Sequence, residues 1–331
     1  MNLIRKTGWL VFALALLCGL AACKEEEEDT TLPSMSGTVT FDIPSYVLKG
    51  ETVTMSASGI LYPSDVRYKW YISGVYTDTL AFPRVTVRFP DSIGVFTVSA
   101  FAYSSGFYNS SVSQSVTTID TTWNTSLTGL LRSSDFFVDP RDGRSYGYVN
   151  LGGLDWFAQN LAWQGAGIPF KASKATAPLF GSFYTWQEAM EGHVCPEGWR
   201  IPTEEDWISL SAVLNGGQPL DFFSNWPGLG EKASADARMN DERMWSYTPD
   251  NLHTNDFGWN ALPLGYTFAD AGGNTFSGVN SYGCWWSATD KNTDQAFYRY
   301  IYSESGDFPM SYTSKRDMRA SVRCVRTRPQ S

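Results

Sequence analysis

From Thr38 to about Thr118 apolar and polar residues alternate with a period of two. Val39 and Phe41, Val53 and Met55, Tyr68 and Trp70, Val85 and Val87, and Phe96 and Val98 each share one parity within runs of strand length. Such β-branched and aromatic runs suit a pleated, half-buried surface, and Gly, Pro, Asp and Ser separate them at regular intervals. The pattern predicts strands only, closed into an all-β sandwich over 37–119. Beyond it lies a Thr/Ser-rich stretch, 120–134, which reads as a linker. The spacing then changes. Ser145–Leu151 and Leu154–Ala158 read as a hairpin turned at Gly152-Gly153. Trp207, Leu210 and Leu214 recur at helical spacing. Pro202 blocks an earlier start to that helix, Thr203 is placed to cap it with Asp206 three residues on, and Glu204 and Glu205 sit where the helix dipole favours negative charge. A shorter helix follows Thr185, with Glu188 in the matching position. The second domain, 135–328, is therefore α+β.

The N-terminus has a different character. Arg5 and Lys6 precede an apolar run from Gly8 to Leu17, and Leu20-Ala21-Ala22-Cys23 closes it with small residues and a cysteine. That order is a signal peptide over 1–22. The last four residues resemble the bacterial lipobox, which implies that Cys23 is lipidated and that the chain is held at a membrane by a lipid anchor. No other run approaches the ~20 apolar residues that cross a bilayer. Lys24 and the acids Glu25–Asp29 open a tether, 23–36, that repels itself and stays solvated. It resembles the acidic surface-export signal of Bacteroidetes lipoproteins, which implies an outer-membrane protein exposed on the cell surface. Across all 331 residues the formal charge is −9 and the pI about 4.8. An acidic chain without a basic cluster is not expected to bind nucleic acid.

Two resemblances refine the domains. The order of Tyr68-Lys69-Trp70-Tyr71 and then Gly94-Val95-Phe96-Thr97-Val98 resembles immunoglobulin-like and polycystic-kidney-disease-type modules, with Trp70 as the buried ring. In the second domain the blocks Asp142-Gly143…Trp156…Asn160-Leu161, Tyr184-Thr185-Trp186, Cys195-Pro196-Glu197-Gly198-Trp199-Arg200-Ile201-Pro202-Thr203…Trp207, Asn260-Ala261-Leu262-Pro263-Leu264-Gly265-Tyr266, Trp285-Trp286-Ser287-Ala288-Thr289 and Ser321-Val322-Arg323-Cys324-Val325-Arg326 resemble the Fibrobacter succinogenes major paralogous domain. That family looks related to the C-type lectin-like fold. More remotely it is similar to the formylglycine-generating sulfatase modifiers, whose RLPTEAEW run is like Arg200–Trp207. The lectin-like resemblance implies a disulfide between Cys195 and Cys324, tying the early helix to the closing strand. Cys284, beside Trp285 and Trp286, is left as a buried thiol.

Candidate chemistry is thin. His193 and His253 are the only histidines, and neither His-x-x-His nor Cys-x-x-Cys occurs. No metal site, cofactor or catalytic residue is expected, and the chain does not read as an enzyme. Two enzymatic readings stay open as alternatives. Acids are plentiful, and sequence spacing does not say which of them approach each other as a glycosidase requires. The sulfatase-modifier resemblance points to an oxidoreductase, but only Cys284 stands where a redox pair would be. The sharper expectation is a binding module. In lectin-like folds the loops between the second helix and the closing strands carry the ligand; here they span Gly216–Gly283. Asn225, Trp226, Trp245, Asn255 and Asp256 are the candidate contacts, with exposed tryptophan faces stacking on sugar rings. Trp156, Trp186, Trp199, Trp207, Trp285 and Trp286 are assigned to packing. The lectins' Glu-Pro-Asn tripeptide is missing, Gln218-Pro219-Leu220 standing instead, so calcium-dependent sugar recognition has no support. The expected partner is a glycan or a surface protein, and the alternative is a structural component of a surface appendage or envelope complex.

Overall fold

The computed structural model describes residues 31–77, 82–122, 127–131, 133, 135–270 and 273–328. The signal peptide, Cys23 and most of the acidic tether lie outside the described residues. The chain is mostly β-sheet.

Eight strands form the N-terminal half: β1 (Ser36–Phe41), β2 (Tyr46–Leu48), β3 (Thr52–Tyr62), β4 (Arg67–Ile72), β5 (Tyr76–Thr77), β6 (Arg84–Arg88), β7 (Gly94–Tyr103) and β8 (Ser110–Ile119). They pair into two sheets, β1-β3-β6 and β2-β8-β7-β4-β5, antiparallel throughout except for β2 against β8. Alternation supplies the reason. Met55, Ala57, Val85 and Val87 from one sheet meet Trp70, Ile72, Val98, Ala100 and Val116 from the other in a single core. Trp70 is buried as expected, with Phe41 edge-on at 5.3 Å.

The second half runs β9 (Leu127–Thr128), β10 (Asp135–Val138), β11 (Ser145–Leu151), β12 (Leu154–Phe157), β13 (Ile168–Pro169), α1 (Ala177–Phe180), β14 (Ser182–Thr185), α2 (Trp186–Glu191), α3 (Glu204–Leu214) and α4 (Leu229–Ala233). It continues β15 (Arg238–Met239), β16 (Glu242–Arg243), β17 (Tyr266–Asp270), β18 (Gly273–Ser277), β19 (Tyr282–Asp290), β20 (Gln295–Tyr302), β21 (Met310–Ser314), β22 (Met318–Ser321) and β23 (Val325–Thr327). One sheet is ordered β10-β11-β12-β23. The large sheet is ordered β13-β14-β22-β19-β20-β21, with β17 and β18 branching from β22.

The helix start foreseen at Thr203 is pinned from both sides. The Asp206 carboxylate accepts the Thr203 backbone N–H at 2.8 Å and pairs with Arg200, while Thr203 Oγ1 donates to Glu205 at 2.7 Å. Across from it, Ala288 N–H donates to Pro202 O at 2.7 Å and Glu204 N–H to Thr289 Oγ1 at 3.1 Å. The block around Trp286 thereby fixes where α3 begins. At Thr185 both halves of the capping box form with Glu188, at 2.9 and 3.0 Å.

Cys195 and Cys324 are disulfide-bonded across a separation of 129 residues. Beside that bond Arg200 and Val325 exchange both backbone hydrogen bonds, at 2.9 and 2.8 Å, and β23 closes against β12. Cys284 is free and buried, and burial pushes its thiol pKa far above the ordinary range.

Part of the stretch read as a linker is structural. β9 joins a small sheet with β15 and β16, because Leu127 is apolar enough to enter a cluster with Phe170, Leu179, Phe183, Ala237 and Leu264. Ile119 joins the same cluster and Tyr46 and Leu48 pack on it, so the two halves share a core where they meet. Ser173 Oγ donates to Tyr46 O at 2.5 Å, which ties them further.

Candidate functional site

The loops between α3 and β19 were expected to offer tryptophans to solvent; they fold inward instead. Trp226 is fully buried. Its ring lies under the Arg299 guanidinium at 3.2 Å and its Nε1 donates to Asp221 O at 2.9 Å. Trp245 is 1% exposed and stacks on His253 at 4.7 Å, with the rings 15° from parallel. Asn255, also buried, donates from Nδ2 to Asn260 Oδ1 and accepts the Asn260 backbone N–H on its Oδ1. Asn225 and Asp256 do reach solvent. The five candidates thus form no common surface: Trp226 belongs with Arg299, Trp245 with His253, and Asn255 with Asn260.

A cluster of rings explains the inward fold. Trp259 is edge-on to Trp156, Trp207, Trp285 and Phe308, with centroids 4.8–6.4 Å apart. Burying these rings removes a large apolar area from water, and edge-on contacts between rings add to that. Irregular backbone can enter such a core only if its carbonyls find donors. Arg299 supplies them to Phe308 O at 2.6 Å, Ser224 O at 3.3 Å and Phe222 O. Arg323 does the same for Phe157, Trp259 and Asn260. Sequence reasoning missed both arginines. Their signal was parity: Arg299 shares its face of β20 with Phe297 and Ile301, which are buried.

Sequence reasoning also missed a serine–histidine pair. Ser234 Oγ and His253 Nδ1 are 2.7 Å apart, and both residues are buried. His253 Nε2 has no hydrogen-bond partner. The pair lies within the fold, with the Trp245 ring stacked on the imidazole, and no part of it lines the cavities described below. Burial lowers the His253 pKa from 6.5 to about 4; Asp236 acts weakly against the shift and Arg243 weakly with it. The unfolded chain therefore takes up the proton first as pH falls. Stability from this group is complete above about 6.5 and is lost progressively towards about 4. The expected loss is about 3 kcal/mol at most. Denaturant titrations at pH 7 and pH 4.5 should show a smaller acid loss in His253→Gln than in the parent. Equal losses would mean that the imidazole is already protonated in the fold.

Three cavities are relevant. One of about 150 Å³ lies at the junction of the two halves, among Tyr46, Phe170, Arg243 and Asn280. Another, of about 280 Å³, adjoins the disulfide at Cys195, Trp199 and Arg200. The largest, about 590 Å³, opens between the linker, the β10–β11 hairpin and α1. That volume lies in the range of small-ligand sites. Its walls carry Phe136, Arg144, Ser145, Gln159 and Pro178. Phe136 is 64% exposed on the edge strand β10. Asp142 Oδ2 stands 3.6 Å from Arg144 Nε, too far for a hydrogen bond, and that nitrogen is buried without a hydrogen-bond partner. An aromatic face, a guanidinium, an amide and a hydroxyl therefore border one space. Among the described residues no group of three or more His, Cys, Asp or Glu side chains could hold a metal ion.

Residues 149–326 match the family model of the Fibrobacter succinogenes major domain. A search of curated proteins finds no match. Among solved structures, the Yersinia pseudotuberculosis adhesin InvE is similar at 11% identity and a TM-score of 0.26, over 88% of this chain and 70% of that one. A superposition that loose bears on neither fold nor function.

Proposed function

The chain belongs to the Fibrobacter succinogenes major domain family, and from that premise we propose a lipid-anchored surface protein whose C-terminal module, of C-type lectin-like fold, binds a glycan without catalysis. In this reading Cys23 carries the acyl anchor, the acidic tether is the surface-export signal, and an immunoglobulin-like β-sandwich serves as the spacer. The observation that carries the binding role is the 590 Å³ cavity between the linker and the β10–β11 hairpin. Its lining favours a sugar bearing a carboxylate or sulfate. Arg144 would pair with the acid, Phe136 would stack on the ring, and Gln159 and Ser145 would take hydroxyls.

Glycan-array binding by the chain without its leader tests this. An acidic glycan should be retained, and Arg144→Ala should weaken it about tenfold or more, the worth of a charge-assisted hydrogen bond. Unchanged affinity in that variant would remove the cavity from the reading.

A second reading, an assembly component, draws support from β10. This edge strand presents Phe136 and Val138, 64% and 59% exposed, on a sheet with an open side. Unpaired edges of this kind accept a strand from a partner. A silent array together with co-purification in a defined complex would favour it.

A further inference from the structure

We propose that the pole of the N-terminal half where the chain enters is a lipid-facing surface that rests on the bilayer; this builds on the lipid-anchor reading of Cys23. Four large apolar side chains are exposed there: Leu32 (45%), Leu61 (80%), Tyr62 (61%) and Tyr108 (51%). Pairing brings them together from three separate segments. Ser34 bridges to Tyr108, Tyr108 N–H donates to Pro33 O at 3.0 Å, and Ser36 is opposite Tyr62. Phe107 braces the group, edge-on to Tyr62 at 5.6 Å.

Topology sets the direction. The β7–β8 hairpin runs from Ala102 opposite Ser110, beside this patch, to Gly94 opposite Thr118. The next residue, Ile119, lies in the core shared with the second half. At about 3.3 Å per residue the patch stands about 30 Å from that junction, at the far end of the domain. Only eight residues separate Cys23 from Leu32, a reach of at most about 32 Å. A domain held so near a bilayer by this end must turn this end towards it.

The residue types suit that boundary. Tyrosines with apolar bodies and polar tips favour the headgroup level, and long basic side chains reach outward from it. Arg67, exposed and paired with Tyr103 on the neighbouring strand, is placed for the second role. An exposed apolar group on a monomer needs a reason, and here the acyl chain supplies the partner at hand. Contact would hold the spacer upright and present the second half about 30 Å above the membrane.

The test uses the full chain, acylated in its host and reconstituted into phosphatidylcholine vesicles containing nitroxide-labelled lipid. An environment-sensitive fluorophore is attached in Leu61→Cys and, separately, in Tyr247→Cys on the second half. Cys195 and Cys324 are disulfide-bonded and Cys284 is buried, so the introduced thiol is the reactive one. The lipid nitroxide should quench the Leu61 label several-fold more than the Tyr247 label, and adding Tyr62→Ser and Tyr108→Ser should reduce that difference. Equal, weak quenching at both positions in vesicle-bound protein overturns the lipid contact and leaves the anchor standing. A Leu61 label already shielded from aqueous iodide in the unacylated chain, made without its leader and held in detergent-free buffer, means that a second copy covers the patch, which also overturns it. An intact-mass measurement showing Cys23 without acyl groups removes the anchor reading and this inference with it.

Discussion

Replacing both Cys195 and Cys324 with serine is expected to lower the stability of the second half by about 4–5 kcal/mol. The bond closes 129 residues of chain, and in the chain-entropy account such a crosslink removes that much from the unfolded state. The native cost should be local. The disulfide sits where the chain turns into α3 and where β23 returns to β12, a corner also held by the Arg200–Val325 backbone pair and by Phe157 N–H donating to Cys324 O at 3.0 Å. Guanidinium titrations of parent and variant, each with and without reductant, measure the effect. The parent should fall to the variant's midpoint when reduced, and the variant should not respond to reductant. The double substitution is cleaner than a single one, which would leave a thiol to compete with Cys284. A midpoint shared by variant and oxidised parent would mean that the β23–β12 contacts alone hold the corner.

The contrast with the loops shows what alternation and capping can reveal. Period-two spacing placed strands around Trp70, and the Thr203–Asp206 and Thr185–Glu188 pairs marked two helix starts, because each signal is local and repeats in a known direction. The burial of Trp226, Trp245 and Asn255 had no such signal. Trp226, His253, Asn255 and Asn260 have φ near +50°, so the backbone turns each inward individually and no period records it. Whether such a ring ends inside depends on a distant donor. Trp226 needs Arg299, and the Trp259 loop needs Arg323, each more than 60 residues away. The cavity was hidden for a related reason. Its lining spans the linker, a hairpin and α1, whereas sequence reasoning searched 216–283, where the lectin-like resemblance placed a ligand. The disulfide was legible only through that resemblance, since Cys195, Cys284 and Cys324 by themselves allow three pairings.

Arg323→Met is expected to cost about 4 kcal/mol, because it removes the donors of a buried junction while filling most of the same space. The guanidinium is 1% exposed. It donates to Asn160 Oδ1 at 2.8 Å, Phe157 O at 3.1 Å, Asn260 O at 3.0 Å and Trp259 O, and lies over the Trp259 ring at 4.4 Å. Burial lowers its pKa, but the four oxygens around it stabilise the charged form, and no carboxylate is among its hydrogen-bond partners. Methionine would leave three backbone carbonyls dry and unpaired, each worth about 1–3 kcal/mol. Asn160 Oδ1 would keep its bond from Trp285 Nε1 at 2.9 Å, which limits the loss there. Lysine should recover only part of the stability, since one ammonium cannot reproduce a planar fork. Arg88→Met is the control: its pair with Asp91 is exposed, 62% and 75%, and such pairs contribute about 0–1 kcal/mol. Denaturant midpoints give the ranking, and hydrogen exchange locates it. Amides near 157–160 and 259–261 should exchange faster in Arg323→Met, because this one side chain supports both segments. If Arg323→Met proves as stable as Arg88→Met, the arginine is filler, and the tryptophan cluster holds the loops by packing alone.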